Sequence, residues 1–448
     1  MRMKPHGPLL KQRRSFPPKV LLLGIGIFVA LLILLSAFLT MPGMFSSFVS
    51  LWLPLILRWA HLIYGFAWIG TSFFFIFVEN SLEPNPKESN LVGQLWTVHG
   101  GGIYRFEKYR TAPIPLPSLL HWFRWDAYLT WTTGFALLVL LFYAHPEATL
   151  IDPQIAPLSP QVAVLCSLGI LIASWLVYMG LAASSLLNRP PLFTVVCCLL
   201  LSLLAYGLTH LFSGRGAFLQ LGAVLGTIMA GNVLFVIIPS QKRFLEAASR
   251  GERLDPELVK RTHLRSIHNN YLAFPVLFAM MSNHFPFTFQ SKANWLVLLC
   301  LLLAGGTVRH AVNLRQKRKP WLSWLFGGMA LLLVSVILAQ PTQSSFPPLV
   351  SPRKISDTDV EMILRRRCSG CHAHNPTLAR LAAPPAGIVL ENLEDLCKVL
   401  PLARTQLIDL RTMPPGNFTG MTEGERMALG LWIEKKQQDG RQQKNRGQ

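Results

Sequence analysis

About nine apolar stretches of some twenty residues each, separated by short basic segments, leave this chain few folds to choose from. The hydrocarbon core of a bilayer is about 30 Å thick and is crossed by about 20 helical residues. Backbone groups find no water inside it, so such stretches must be helices that satisfy their own N–H and C=O groups. The expected spans are Val20–Thr40, Trp52–Val78, Trp125–Ala144, Gln161–Leu187, Leu192–His210, Ala217–Ile238, Ser266–Asn283, Asn294–Arg309 and Trp321–Gln340. Prolines and polar residues interrupt the seventh, which a helix lining a protein interior tolerates. With 51% hydrophobic and only 14% charged residues, the 448-residue chain suits a polytopic helix bundle with room for one appended domain.

A formal charge of +20 raises the question of nucleic acid, but no nucleic-acid motif accompanies it. The basic residues are instead divided by side. With the amino terminus inside, the inner tail and loops hold 24 Lys or Arg, and the outer loops before residue 341 hold two, Arg215 and Lys292. That asymmetry predicts a multi-pass membrane protein with its amino terminus on the cytoplasmic side and everything after the ninth span on the opposite side. Residues 1–45, a basic tail and one long apolar run, read as a signal anchor.

Beyond the last span stands Cys368-Ser369-Gly370-Cys371-His372. Two thiols at i and i+3 followed by histidine can add to the two vinyl groups of haem and offer the iron an imidazole. Alone, the pentapeptide is also compatible with a redox dithiol or half of a zinc site. Some forty residues on, Met413 stands before Pro414-Pro415, where restricted backbone presents a thioether well as the second axial ligand. The pair points to one covalent haem c, with iron held by His372 and Met413. Such iron has no open position, so the domain is expected to relay electrons. His374 reads as a surface residue and Met421 as the fallback ligand. Of the other cysteines, Cys166, Cys197, Cys198 and Cys300 lie in apolar runs, and Cys397 is left unpaired.

The expected domains are a helix bundle over 46–340, a Pro/Ser-rich linker over 341–352, a haem domain over 353–436 and a disordered tail over 437–448. Within the haem domain, Ser356–Arg366 carries a cap signal and an apolar stripe of Val360, Ile363 and Leu364. Glu391–Val399 and Thr422–Lys435 are further amphipathic helices. The run Arg365-Arg366-Arg367 is either solvated, steers an acidic partner, or pairs with a haem propionate.

Ionisable residues in the spans are functional candidates by default. An outer group, Arg58, His61, His210 and His284, can bind a b-type haem or another metal centre, or simply satisfy hydrogen bonds. An inner group includes His99 in a glycine-rich turn, Arg124, Asp126, Arg309 and the tetrad His268-Asn269-Asn270-Tyr271. Amides that donate and accept suit recognition of a flat heterocycle with carbonyl and N–H groups.

These residues also carry a family resemblance. Arg58-Trp59-Ala60-His61, Trp68-Ile69-Gly70-Thr71-Ser72-Phe73, Trp96 to Gly102, Phe123-Arg124-Trp125-Asp126-Ala127-Tyr128, Gly226-Thr227-Ile228-Met229-Ala230 before Asn232, His268 to Tyr271, and Ser282-Asn283-His284 occur in order before the haem motif. The chain thereby resembles the bacterial membrane-bound urate oxidase (urate hydroxylase) family, which joins about eight membrane helices to a cytochrome c domain. The resemblance implies an all-α fold, eight family spans plus one added at the amino terminus, with a small class I-like cytochrome c domain. It implies hydroxylation of urate to 5-hydroxyisourate with water as oxygen source, the electrons leaving through the haem to a soluble cytochrome or terminal oxidase. It matches His61, His99, His268 and His284 to family histidines. Two departures are visible, Gln220 in place of a histidine and Asp126 in place of a glutamate, and glutamine offers no imidazole to a metal.

On this reading His99 or His268 assists water attack as a general base, Arg124 or Arg309 holds the urate anion, and Asp126, Asn269 and Asn270 complete the site. Two other readings fit the residues. One is a quinol-linked oxidoreductase with an interhelical b-type haem; the other is a non-catalytic membrane-anchored electron-transfer or assembly subunit.

Overall fold

The computed structural model describes residues 45, 48–85, 88, 90–110, 120–250, 252, 255–291, 293–340, 355–377, 384–409, 411–417 and 419–446. The expected first span, Val20–Thr40, and the linker 341–352 lie outside the described residues. The chain divides after Ile56 into a short first unit and one body that begins at Leu57.

Eight expected spans are each met by a helix: α1 Leu53–Ser81, α2 Trp125–Tyr143, α3 Pro160–Ala183, α4 Pro190–Thr209, α5 Gly214–Ser249, α6 Pro256–Met281, α7 Asn294–Gln316 and α8 Leu322–Leu338. Their starts follow from local chemistry. Ser159, Ser213 and Asp255 accept hydrogen bonds from the first-turn amides of α3, α5 and α6, and Pro160 and Pro256 open α3 and α6, where no donor is needed. Six of the eight, α1 to α5 and α7, are long and apolar enough to cross a membrane. The helix α8 is apolar but shorter, and α6 carries the polar tetrad and three arginine or lysine residues before it.

The centre of the bundle is α5, which packs against α2, α3, α4 and α6. In it 61% of the most apolar stretch is buried, against 11% in α1. Small residues make this possible. A Cβ on Gly231 would stand 2.4 Å from the Trp175 indole nitrogen, and one on Gly222 would stand 2.9 Å from the Ala279 Cβ. Close helix approach through such positions is how apolar bundles gain packing where lipid is as apolar as the side chains. Opposite the interrupting Pro275 of α6 stands Gly305 of α7, where an added Cβ would lie 3.1 Å from the Pro275 nitrogen.

The all-α expectation needs correction. Leu91–His99 (β1) and Gly102–Tyr109 (β2) form an antiparallel hairpin, with Val98 opposite Ile103 and His99 opposite Gly102. Gly100 and Gly101 take positive φ values of 55° and 80°, the geometry a two-residue hairpin turn demands. What reads in sequence as a glycine-rich loop is therefore the tip of a β-ribbon.

The carboxyl-terminal residues build a second core. Helix α9, Asp357–Arg367, is closed by a capping box between Ser356 and Asp359, and buries Val360, Ile363 and Leu364 as its stripe requires. These meet Leu396 of α10 (Leu393–Lys398) and Leu429, Trp432 and Ile433 of α11, Glu423–Arg446. The last helix is described as far as Arg446. Its composition is polar, but a helix already nucleated by a packed face continues into such a segment at little cost.

Candidate functional site

Asn269 and Asn270, adjacent on α6, are both buried and point their amides into two different neighbours. Asn269 Oδ1 accepts from Asn232 Nδ2 of α5 (2.8 Å), and its own Nδ2 donates to the Met229 carbonyl (3.0 Å). Asn232 also donates to the Tyr178 hydroxyl of α3 (3.0 Å) and accepts from Arg265 Nη1 (3.3 Å). The Tyr178 hydroxyl lies 2.8 Å from His268 Nδ1, and Phe193 stacks on that imidazole.

The second branch joins α6 to α7. Asn270 Oδ1 accepts from Arg309 Nε (3.0 Å) and Asn313 Nδ2 (2.9 Å), and Arg309 lies over the Phe73 ring at 3.9 Å. Tyr271 meets His310 Nδ1 at 2.6 Å. Asn270 Nδ2, Arg309 Nη2 and Asn313 Oδ1 are buried and have no partner among the described residues. Two donors and one acceptor thus stand free on side chains that are joined at a single oxygen. Neither Arg265 nor Arg309 is ion-paired with a described carboxylate; Glu79 on α1 is engaged by Lys108 and His263. A buried guanidinium without an opposite charge is costly unless a ligand supplies one.

The other expected site residues are not linked to this network. His99 is exposed at the hairpin tip. Arg124 lies over Trp122 and Trp125, and Asp126, in the first turn of α2, forms no side-chain hydrogen bond or ion pair among the described residues. His61 Nδ1 faces the Thr130 carbonyl at 2.9 Å and packs against Gly134 of α2. Arg58 and His284 are exposed, and His210 stacks on Tyr206. Gln220 is buried and fully engaged: its Nε2 donates to the Ser167 carbonyl (2.8 Å) while its Oε1 accepts from Ser167 Oγ (2.7 Å). At this position the amide ties α5 to α3. Among the described residues no three His, Cys, Asp or Glu side chains are placed to hold a metal ion.

In the carboxyl-terminal core, Cys368, Cys371 and His372 lie on one helical turn, the amides of Cys371 and His372 bonded to the Cys368 carbonyl at 3.1 and 2.9 Å. His372 Nδ1 faces the Ile388 carbonyl at 2.9 Å, which holds the hydrogen there and leaves Nε2 bare as a ligand. Burial pushes the Cys368 thiol up to about 12. A redox dithiol needs the opposite shift, and a structural zinc site needs further ligands that the described residues do not bring. Met413 packs against the same core, whereas Met421 is buried inside it. These residues are of the kinds that would hold a covalent haem, Cys368 and Cys371 through thioethers and His372 and Met413 as donors to its iron. His374 is exposed. Arg367, immediately before the motif, is not solvated: its Nε and Nη2 grip Glu425 at 3.0 to 3.1 Å and its Nη1 donates to the Thr419 carbonyl.

Four members of the membrane network, Tyr178, Asn232, Arg265 and Asn313, are absent from the residues singled out as a site by sequence. The signal available for two of them is spacing. Arg265 precedes Asn269 by four residues and Arg309 precedes Asn313 by four, which sets each pair on one helix face.

Comparison with known proteins gives one match. A family model described as Urate oxidase N-terminal covers residues 47–340, well over half of the chain and the whole of the α1 to α8 bundle. No curated protein and no solved structure matches the chain significantly.

Proposed function

Because the chain belongs to the urate oxidase N-terminal family, we propose that it is a membrane-bound oxidoreductase that hydroxylates urate to 5-hydroxyisourate and passes the electrons through a covalent c-type haem to the respiratory chain. The balance is urate plus water giving 5-hydroxyisourate, two protons and two electrons. The observation that carries the substrate half is the buried set of amides around Arg265 and Arg309 with no carboxylate among them. Urate is a planar anion bearing carbonyl acceptors and ring N–H donors. Arg309 Nη2 and Asn270 Nδ2 offer it two donors, and Asn313 Oδ1 offers an acceptor.

Within that site Arg309 neutralises the anion and Asn270 and Asn313 fix the plane of its ring. His268, whose ring is oriented through Nδ1 by the Tyr178 hydroxyl, is the group assigned to take a proton from attacking water at Nε2. Phe73 and Phe193 keep the two branches dry, which strengthens each charged hydrogen bond. Cys368, Cys371, His372 and Met413 would hold a covalent haem, which would supply one-electron transfer when bound. A soluble cytochrome or terminal oxidase would then receive the electrons.

The test is anaerobic addition of urate to the oxidised protein in detergent or nanodiscs. The reading expects the reduced haem spectrum, two haems reduced per urate, and porphyrin that stays with the polypeptide after denaturation. Dithionite reduction without any response to urate overturns the substrate assignment, and loss of porphyrin on denaturation overturns the covalent haem.

A further inference from the structure

After α2 the chain makes a one-turn helix, Pro146–Thr149, and then buries Leu150 and Ile151. This segment is fastened to the start of α5. Ser213 N donates to the Leu150 carbonyl and Ser213 Oγ to the Thr149 carbonyl, both at 2.8 Å, and Thr149 Oγ1 donates back to the carbonyls of His145 and Phe142. Gly216 leaves room for Leu150, whose Cα stands 3.1 Å from where a Cβ would be. The result is a rigid platform at the end of the central helix rather than a free loop.

Against that platform lies Pro415–Asn417, the turn that follows Met413. A second element meets it. Arg426 of α11 is buried and donates through Nη1 to the carbonyls of Met413 (2.9 Å) and Leu407, so it braces the segment that carries the methionine. Its Nε is buried and has no partner among the described residues. Asp152, at the end of the platform, is the bundle carboxylate within electrostatic reach of Arg426. It accepts from the Gln154 amide at 3.0 Å and pairs with no cation of its own loop.

We propose that Pro146–Asp152 is a docking seat for the Met413 edge of the carboxyl-terminal domain, with Asp152 as the counter-charge to Arg426, so that the domain is held on the central helix of the bundle. A domain joined only by a linker samples many positions, whereas a seated one has a fixed path from bundle to relay. The seat stands on packing and charge alone; its consequence for electron flow rests on the urate and haem reading above. Asp152 is a positioning residue in this scheme and Arg426 acts on Met413 through its backbone.

Hydrogen exchange of the full-length protein in nanodiscs tests the seat without reference to haem or urate. The wild type is expected to protect the amides of Ala148 and Asn417. Asp152→Lys is expected to raise exchange at both positions together by about tenfold or more while leaving Val360 and Leu364 in α9 unchanged. Asp152→Asn, a milder change, is expected to raise both by a smaller factor and serves if the lysine variant does not accumulate. Exchange at Asn417 that ignores both variants overturns the seat. In the same preparations urate-driven haem reduction is expected to slow about tenfold in Asp152→Lys with urate affinity unchanged. Loosened exchange with an unaltered reduction rate overturns the electron-path half. If the wild-type haem never responds to urate, the function above fails while the exchange result still decides the seat.

Discussion

Replacing Arg309 by alanine separates a ligand-binding role from a structural one, because the two roles move different quantities. In the free protein Arg309 is 3% exposed, makes one hydrogen bond to Asn270 and lies against Phe73, and has no carboxylate partner. Its removal takes away a buried charge that nothing offsets, and Asn270 Oδ1 keeps its bond from Asn313. The loss of one hydrogen bond to a charged group, about 1.5–3 kcal/mol, is then opposed by relief of the unpaired charge. Thermal stability is therefore expected to change little or to rise. With urate bound, the same change removes a charge-assisted contact of about 1.5–3 kcal/mol, which is roughly a 10- to 150-fold loss of affinity. Binding is read by calorimetry on the nanodisc-embedded protein, and stability by a thermal shift without urate. Arg309→Lys keeps the charge but not the Nε–H or the flat face, and is expected to fall between wild type and alanine. A large drop in melting temperature together with unchanged urate affinity refutes the reasoning.

Three further outcomes are expected. Glu425, which burial alone would raise, is held below the usual carboxylate range by the Thr422 amide and Arg367. A depressed folded value means that this stability is complete above the unfolded value of about 4.3 and is lost as pH falls through the folded value. Acid titration of carboxyl-terminal unfolding should therefore shift in Glu425→Gln, which lacks that component, and identical acid profiles speak against it. Gln220→His breaks both bonds to Ser167 in a closed site, so a loss of about 1–3 kcal/mol in stability is expected, with no metal gained by elemental analysis. Gly231→Ala drives a methyl into the Trp175 indole and should cost about 1–3 kcal/mol, seen as a lowered melting temperature with α3 and α5 less protected from exchange.

Much of this architecture is written in local patterns. Runs such as Pro160–Ala183 and Pro190–Thr209 are helices because their length, apolarity and opening prolines act within one segment. The same holds for the Ser356–Asp359 capping box, and for the Cys368–His372 turn, whose spacing puts the thiols and imidazole on one helical turn. The hairpin at Gly100-Gly101 was open to a turn reading, but its strand pairing depends on residues that meet only across it. Likewise the polar composition after Lys436 says nothing of a helix that propagates from a face already packed.

The site divides along the same line. Sequence alone determined that His268, Asn269, Asn270 and Arg309 are polar residues in apolar surroundings and so need partners. It did not determine that Asn269 turns to Asn232 and Tyr178 while Asn270 turns to Arg309 and Asn313, that Gln220 closes on Ser167, or that His99 and Arg124 stand apart. Those outcomes were decided by the tertiary structure, through which helices lie beside α6 and at what rotation. Propensity and periodicity act over a few residues of one chain segment, whereas a buried amide chooses its partner from whichever distant helix packing has brought within about 3 Å.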